Sequence, residues 1–387
     1  MIYVHCQSLY TGVADQPLGP ATLVIDGERI NQVLEGWQDE PGAVVVDFRD
    51  YSILPGLIDA HDHFGIDMGD GEEAARQDPQ WRAIKGVKNA RAMLHAGITT
   101  LRDAGELHNM GAQIRRAIDA GWIEGPRTVL SGIPISSTGG HGWFVGMEAD
   151  GAEGVRAAVR HNVKLGADMI KMIITGGATT PGSKLVRSCF TQTEIATAVT
   201  EAHLAEKKIG VHCYGGDAAT WAIEAGVDSI EHGTFLGDDQ LDIMAQRGTW
   251  LIATSSVMTA AAEAPHVPEF MKPRFLEAAE RYVDVLRRAR ARGVRVAVGC
   301  DTNHCNIPEE ITTLLKAGYS SLEAIRVATY AGAIHCGLQD QVGSLETGKY
   351  ADFLVVPGDP THDLVRSLRS LKAVAKSGKF LMLPPVS

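Results

Sequence analysis

Two hydrophobic rhythms divide the chain. Residues 1–54 carry short alternating or β-rich stretches at 3–5, 21–25, 29–34 and 44–48, cut by turn signals such as Asp26-Gly27 and Pro41-Gly42. They predict a small antiparallel sheet. The same texture returns only at the end, in Val342-Gly343-Ser344-Leu345, 351–356 and 373–383. Strands 1–54 and 340–387 are therefore expected to share one composite β-sandwich domain.

The middle, 55–339, repeats a different unit: a short apolar strand, a polar or Gly-rich loop, then an amphipathic helix. Eight strands are predicted, at 57–60, 99–102, 128–131, 169–174, 210–212, 229–231, 250–253 and 294–298. Helical patterns fall between most of them, at 81–95, 155–165, 193–207 and 274–292. That arithmetic predicts an α/β fold, a (β/α)8 TIM barrel. A doubly wound sheet is the competing reading, but nothing resembling GxGxxG follows an early strand. The stretch 254–293, with Pro265, Pro268 and Pro273 in its first half, is expected to form a long loop over the active face.

Composition narrows the function classes. Of 387 residues, 45% are hydrophobic and 21% charged, enough for an ordinary globular core. A net charge of −11 without blocks of like charge argues against nucleic acid as a partner. No apolar run approaches the roughly 18 residues of a membrane span, and MIYVHCQSLYTG lacks the pattern of a secretory leader, so a cytoplasmic protein is expected. The six cysteines form no CxxC pair and read as reduced, buried hydrophobes.

In such a barrel, chemistry sits where the strands run out. His61-Asp62-His63 ends the first strand, and alternation puts both imidazoles on one face. Lys171 lies in the apolar fourth strand, where desolvation disfavours the ammonium form and a neutral amine can add carbon dioxide to become a carbamate. His212 ends the fifth strand, His232 the sixth and Asp301 the eighth. Each alone is weak, since a single strand histidine is usually a hydrogen-bonded core residue. Together they supply nitrogen and oxygen donors suited to zinc or a similar divalent ion.

The segment Leu54-Pro55-Gly56-Leu57-Ile58-Asp59-Ala60-His61-Asp62-His63, together with this ligand series, resembles the amidohydrolase superfamily. So does Gly343-Ser344-Leu345-Glu346-Thr347-Gly348-Lys349-Tyr350-Ala351-Asp352-Phe353 near the end. The Lys171 segment with Gly176-Gly177, and Thr138-Gly139-Gly140-His141-Gly142, is most similar to the branch of imidazolonepropionase-like enzymes, Xaa-Pro dipeptidases and related carboxypeptidases. The resemblance implies two divalent ions, zinc first: His61, His63 and Asp301 on one, His212 and His232 on the other, bridged by N6-carboxylated Lys171 and a hydroxide. Asp301 would shuttle the proton to the leaving nitrogen. His141 would polarise or orient the substrate, and Tyr214 would donate its phenol to a carbonyl or carboxylate.

Lesser candidates have bland readings. Asp103 is taken as structural, and Glu231 as pointing away from the metals by strand alternation. Asn303 and His304, and the loop cations Lys184 and Arg187, are more easily read as solvated loop residues than as substrate contacts. Cys213 and Cys300 are read as packing. The expected activity is hydrolysis of an amide C–N bond of a small molecule: a peptide-like compound, Xaa-Pro dipeptide or N-acyl amino acid. Ring opening of a cyclic amide, deamination of a heterocycle and a non-catalytic scaffold are the alternatives. A homo-oligomer is expected from family habit.

Overall fold

The structure is a computed structural model and describes residues 1–382. The chain opens with β1 (Ile2–Leu9), β2 (Ala21–Asp26), β3 (Arg29–Glu35) and β4 (Val44–Pro55). Ten strands then follow: β5 (Leu57–Asp62), β6 (Ile98–Asp103), β7 (Arg127–Leu130), β8 (Ile135–Ser136), β9 (Met147–Glu148), β10 (Met169–Ile173), β11 (Lys208–Gly215), β12 (Ser229–Phe235), β13 (Trp250–Ala253) and β14 (Val296–Val298). The chain returns to β structure with β15 (Phe353–Pro357), β16 (Ala373–Lys376) and β17 (Lys379–Met382). The part of the 373–383 stretch beyond Met382 lies outside the described residues.

The middle is an α/β fold built on parallel strands, and each of the eight expected strands is present. Two-residue β8 and β9 were not anticipated, because so short a segment carries no periodicity. The parallel strands form two ladders, β5-β6-β7 and β14-β13-β12-β11-β10-β8-β9. Their side chains are buried along both faces in β5, β6, β10, β13 and β14, as expected of parallel strands covered by helices. Single backbone bonds connect the ladders. Asp168 N donates to Leu130 O at 2.8 Å, and Asp301 N donates to His61 O at 2.8 Å. Gly299 permits the second approach, since a Cβ there would lie 2.5 Å from the His61 backbone nitrogen.

The helices have conventional starts. Thr191 and Glu194 make a reciprocal capping box before helix Gln192–Leu204. The 254–293 stretch carries the expected helix, Lys272–Ala291, but its first half differs from the expected long loop and forms the helix Ser255–Glu263. Its prolines shape only the break, Pro265 and Pro268 between the helices and Pro273 in the first turn of the second, where no amide donor is needed. The stretch still covers the active face, through Val257 and Phe275.

Strands from both ends of the described chain do pair, in the order β17-β16-β15-β4-β1-β2-β3. The ladder is continuous, and β1 and β4 run parallel where an antiparallel sheet was expected. The twelve-residue β4 lies between two partners: one edge pairs with β1 from Val44 to Ile53, and its last five residues pair antiparallel with β15 on the other edge. Alternation then divides the burial. Ile53, Phe353, Val355 and Ala375 join Val4, Leu23 and Ile25 in the sheet's own core, so the sheet folds over its apolar face. Leu54, Leu354, Val356 and Val374 turn the other way into the core of the α/β part. Among the described residues no helix is long and apolar enough to cross a membrane.

Candidate metal centre

His61, His63, His141, Lys171, His212, Tyr214, His232 and Asp301 all line one cleft. Asp301 is its hub. His61 Nε2 and His63 Nε2 lie 3.4 and 3.6 Å from Asp301 Oδ1, and His232 Nδ1 lies 3.8 Å from Oδ2. The His212 ring is centred 4.5 Å from that of His232, with His141 a further 4.6 Å beyond. Tyr214 stacks on His232 with centroids 5.2 Å apart. The walls above are apolar: Ile66, Met68, Phe144, Val145, Val257 and Phe275.

Backbone geometry at the strand ends aims these groups. His232 and Asp301 adopt left-handed φ values of 72° and 43°, and Thr302 follows at 68°. Such conformations are costly for residues with a Cβ, and they recur where chemistry requires a particular direction. Hydrogen bonds set which ring nitrogens are free. His63 Nδ1 is 2.8 Å from Gly105 O and His212 Nε2 is 3.0 Å from Gly176 O. A carbonyl only accepts, so both nitrogens donate, leaving His63 Nε2 and His212 Nδ1 with open lone pairs. Below the rim, Asp62 accepts from the amides of His63 (2.8 Å) and Thr302 (2.9 Å) and from His304 Nδ1 (2.9 Å), tying the β14 loop to the end of β5.

Burial dominates the electrostatics. It pushes His61, His63 and His141 down to about 4, and His212 and His232 well below the ordinary histidine value. All five imidazoles are thus neutral, the form that ligates metals. Burial also holds the Lys171 amine well below the usual lysine range, with the Arg102 guanidinium adding to the effect. Burial alone would raise Asp301, but the surrounding His61, His232 and His63 outweigh it and keep the carboxylate ionised. The Tyr214 phenol is raised by burial and stays protonated; its hydroxyl meets only the Met258 sulfur at 3.7 Å. Three buried atoms at the floor, Lys171 Nζ, His61 Nδ1 and Glu231 Oε2, lie against one another and have no other polar partner. Neutral imidazoles, the Asp301 carboxylate and a buried amine are a donor set that fits a divalent ion. Among the described residues, His61, His63 and Asp301 already hold their ligand atoms within 4.8 Å of one another.

Glu231 departs from the expectation. It is fully buried and faces the floor of the site, where its carboxylate touches Lys171 Nζ, lies 3.0 Å from His61 Nδ1 and pairs with Arg102. Simple alternation failed here because the left-handed turn at His232 brings two consecutive side chains inward. Arg102, 1% exposed, was missed altogether; a lone arginine inside an apolar strand was the available signal. Lys184 and Arg187 are exposed and outside the cleft lining, and Thr302, rather than Asn303 or His304, reaches it. His304 instead bonds Asp62 and Asp67; burial would lower it, but the two carboxylates push it up to about 10. Asp103 is buried and accepts from Gly105 N, and Cys213 and Cys300 are buried and outside the lining.

Comparison with known proteins gives the same direction. The description of the Amidohydrolase family matches residues 52–381. Ochratoxinase from Aspergillus niger is 28% identical over 374 residues, covering 86% of this chain and 76% of that protein. A Xaa-Pro dipeptidase crystallised with methionine in its active site superposes with a TM-score of 0.90 at 30% identity, covering 98% of this chain and 99% of that one. A prolidase complexed with N-methylphosphonate-L-proline gives 0.91 at 27% identity, with the same coverage. These relatives are hydrolases of the branch that the Lys171 segment resembles. With a family match across most of its length and relatives that it covers almost end to end, the chain belongs to the amidohydrolase family.

Proposed function

We propose that this protein hydrolyses an amide C–N bond of a small molecule with the help of two divalent metal ions. The eight longer parallel strands would close a (β/α)8 barrel, for which the bonds Asp168–Leu130 and Asp301–His61 across the two seams are the support. His61, His63 and Asp301 would hold one ion, His212 and His232 the second, and Lys171 as N6-carboxylysine would stand between them. Zinc suits these donors best. The observation that carries the reading is the convergence of all six on one cleft, with the Lys171 amine buried at its floor. Bound there, the ions supply Lewis acidity and an ionised water at neutral pH.

The chain's own residues would do the rest. Ionised Asp301 takes up a proton from the attacking water and hands it to the leaving nitrogen, which otherwise would have to depart as an amide anion. The Tyr214 phenol and neutral His141, held by Thr180 Oγ1 at 2.8 Å, are placed to donate to or orient substrate oxygens. The apolar walls exclude bulk water. Proline-containing dipeptides and N-acyl amino acids come first as substrates, since the relatives include a Xaa-Pro dipeptidase and a prolidase.

Metal analysis of the purified protein, followed by a screen of dipeptides, N-acyl amino acids and cyclic amides, tests this. Cleavage that needs restored metal is expected. Ammonia released from a heterocycle would favour deamination, and ring opening alone would favour the cyclic-amide reading. No turnover of any amide by metal-replete protein would overturn the proposal. The expected homo-oligomer is checked in the same preparation by sedimentation.

A further inference from the structure

Beneath the cleft lies a buried polar chain that the proposed chemistry does not use. Arg102 on β6 sends Nε to the carbonyl oxygen of Ala60, the residue before His61, and one terminal nitrogen to Glu231 Oε1. Its other terminal nitrogen meets only the Met169 sulfur at 3.1 Å. Glu231 Oε2 touches Lys171 Nζ and lies 3.0 Å from His61 Nδ1. Arg102, Glu231, Lys171 and His61 are each at most 3% exposed, so no water competes for these groups. A Cβ on Gly210 would fall within 2.6 to 3.0 Å of Glu231 Oε1, Ser229 Oγ and Arg102 Nη1, so only glycine leaves the pair room.

Charge explains the grouping. One guanidinium and one carboxylate form a neutral buried pair, and the pair fixes the carboxylate's direction. The guanidinium is itself held at Nε by Ala60 O, so its single charge-assisted bond to Oε1 comes from a fixed direction. With Oε1 engaged, Oε2 is left as an acceptor facing His61 and Lys171. His61 lies between two acceptors, Glu231 Oε2 at 3.0 Å from Nδ1 and Asp301 Oδ1 at 3.4 Å from Nε2; the nearer one favours the proton on Nδ1, which leaves Nε2 free for an ion shared with Asp301. The same oxygen can accept an N–H from the Lys171 amine, turning the nitrogen's lone pair into the cleft.

We infer that Glu231, locked by Arg102, is the positioning residue of the centre: from below, it sets the His61 tautomer and aims Lys171. The inference rests on the metal-hydrolase reading, and it extends to carboxylation. When Lys171–NH2 adds carbon dioxide, the amine nitrogen forms the new N–C bond and gives up one proton to water. The carbamate NH–COO− keeps one N–H, and Glu231 Oε2 is the acceptor placed for it.

The test compares wild type, Glu231→Gln and the double variant Arg102→Met/Glu231→Gln. Four quantities are read: melting temperature, Zn2+ affinity of chelated protein by titration calorimetry, the Lys171 carbamate by 13C NMR under 13C-labelled carbon dioxide, and the His61 tautomer by 15N NMR of metal-free protein, assigned with His61→Gln. Glu231→Gln turns a donor toward two donors. It is expected to lose about 10–100-fold in Zn2+ affinity, to lose most of the carbamate signal and to move the His61 proton to Nε2. Glu231→Gln alone strands a buried guanidinium and loses thermal stability, so the double variant separates the roles. It should recover melting temperature without recovering affinity, carbamate or tautomer. Recovery of all four would show that Glu231 merely neutralises Arg102 and would overturn the inference, as would an unchanged tautomer in Glu231→Gln. Wild type that binds no metal yet carries the proton on His61 Nδ1 would sink the metal reading and leave the positioning role standing.

Discussion

At the residue scale, Lys171 and Asp301 carry the most. Lys171→Ala removes the group proposed to stand between the ions. Bound metal should fall below two equivalents and turnover should vanish, with partial return when short carboxylic acids replace the carbamate; full activity without added acid would refute the bridging role. Asp301→Asn keeps the shape but cannot hold the proton, so kcat should fall by about 10²–10⁴. A rate near wild type would remove Asp301 as the shuttle. These residues were legible because their types and order along the chain are unusual: two histidines, a lysine, two histidines and an aspartate at five strand ends. Glu231 was not, because alternation from His232 assigned it the opposite face, and the φ of 72° that turns His232 inward as well leaves no trace in hydrophobic periodicity. Arg102 hid for a related reason, since its partner lies 129 residues away.

At the scale of elements, the site depends on how the loop after β14 is joined to β5. His304 makes that join, donating to Asp62 and Asp67 at 2.9 and 3.2 Å. Its folded value of about 10 stands above the ordinary 6.5, so the folded state binds the proton more tightly than the unfolded one. The resulting stability is fully present below pH 6.5 and is lost as pH rises toward 10. His304→Gln should therefore destabilise the protein by a few kcal/mol near pH 6 and by much less near pH 10, in denaturation measured at both. A difference independent of pH would mean that His304 serves by packing alone. Eight strands were legible because apolar runs of four to six residues between loops are hard to hide. Within the 254–293 stretch expected as a loop, the helix Ser255–Glu263 was misjudged, because the prolines that suggested a loop all follow it.

The whole molecule is held by contacts between distant parts of the sequence. The donors of the proposed centre come from β5, β10, β11, β12 and the β14 loop, and Asp62 already bonds an amide 240 residues away. The composite sheet of the two ends was legible from its texture, but the parallel pairing of β1 with β4 was not. It sets β4 between β1 and β15, and partner choice is a tertiary property. Ions bound across five strand ends would act on the same scale as that sheet. They bind the folded state and find no assembled site in the unfolded chain, so free ion at a hundredfold its dissociation constant adds about 2.7 kcal/mol. Chelation should lower the melting temperature by a few degrees, and zinc should restore it. In Lys171→Ala the drop should shrink, because the remaining donors no longer share a bridge. Equal melting temperatures for chelated and zinc-loaded wild type would mean that no ion connects the strands. The six donors would then be a buried polar cluster held by Asp301 and by the Arg102–Glu231 pair.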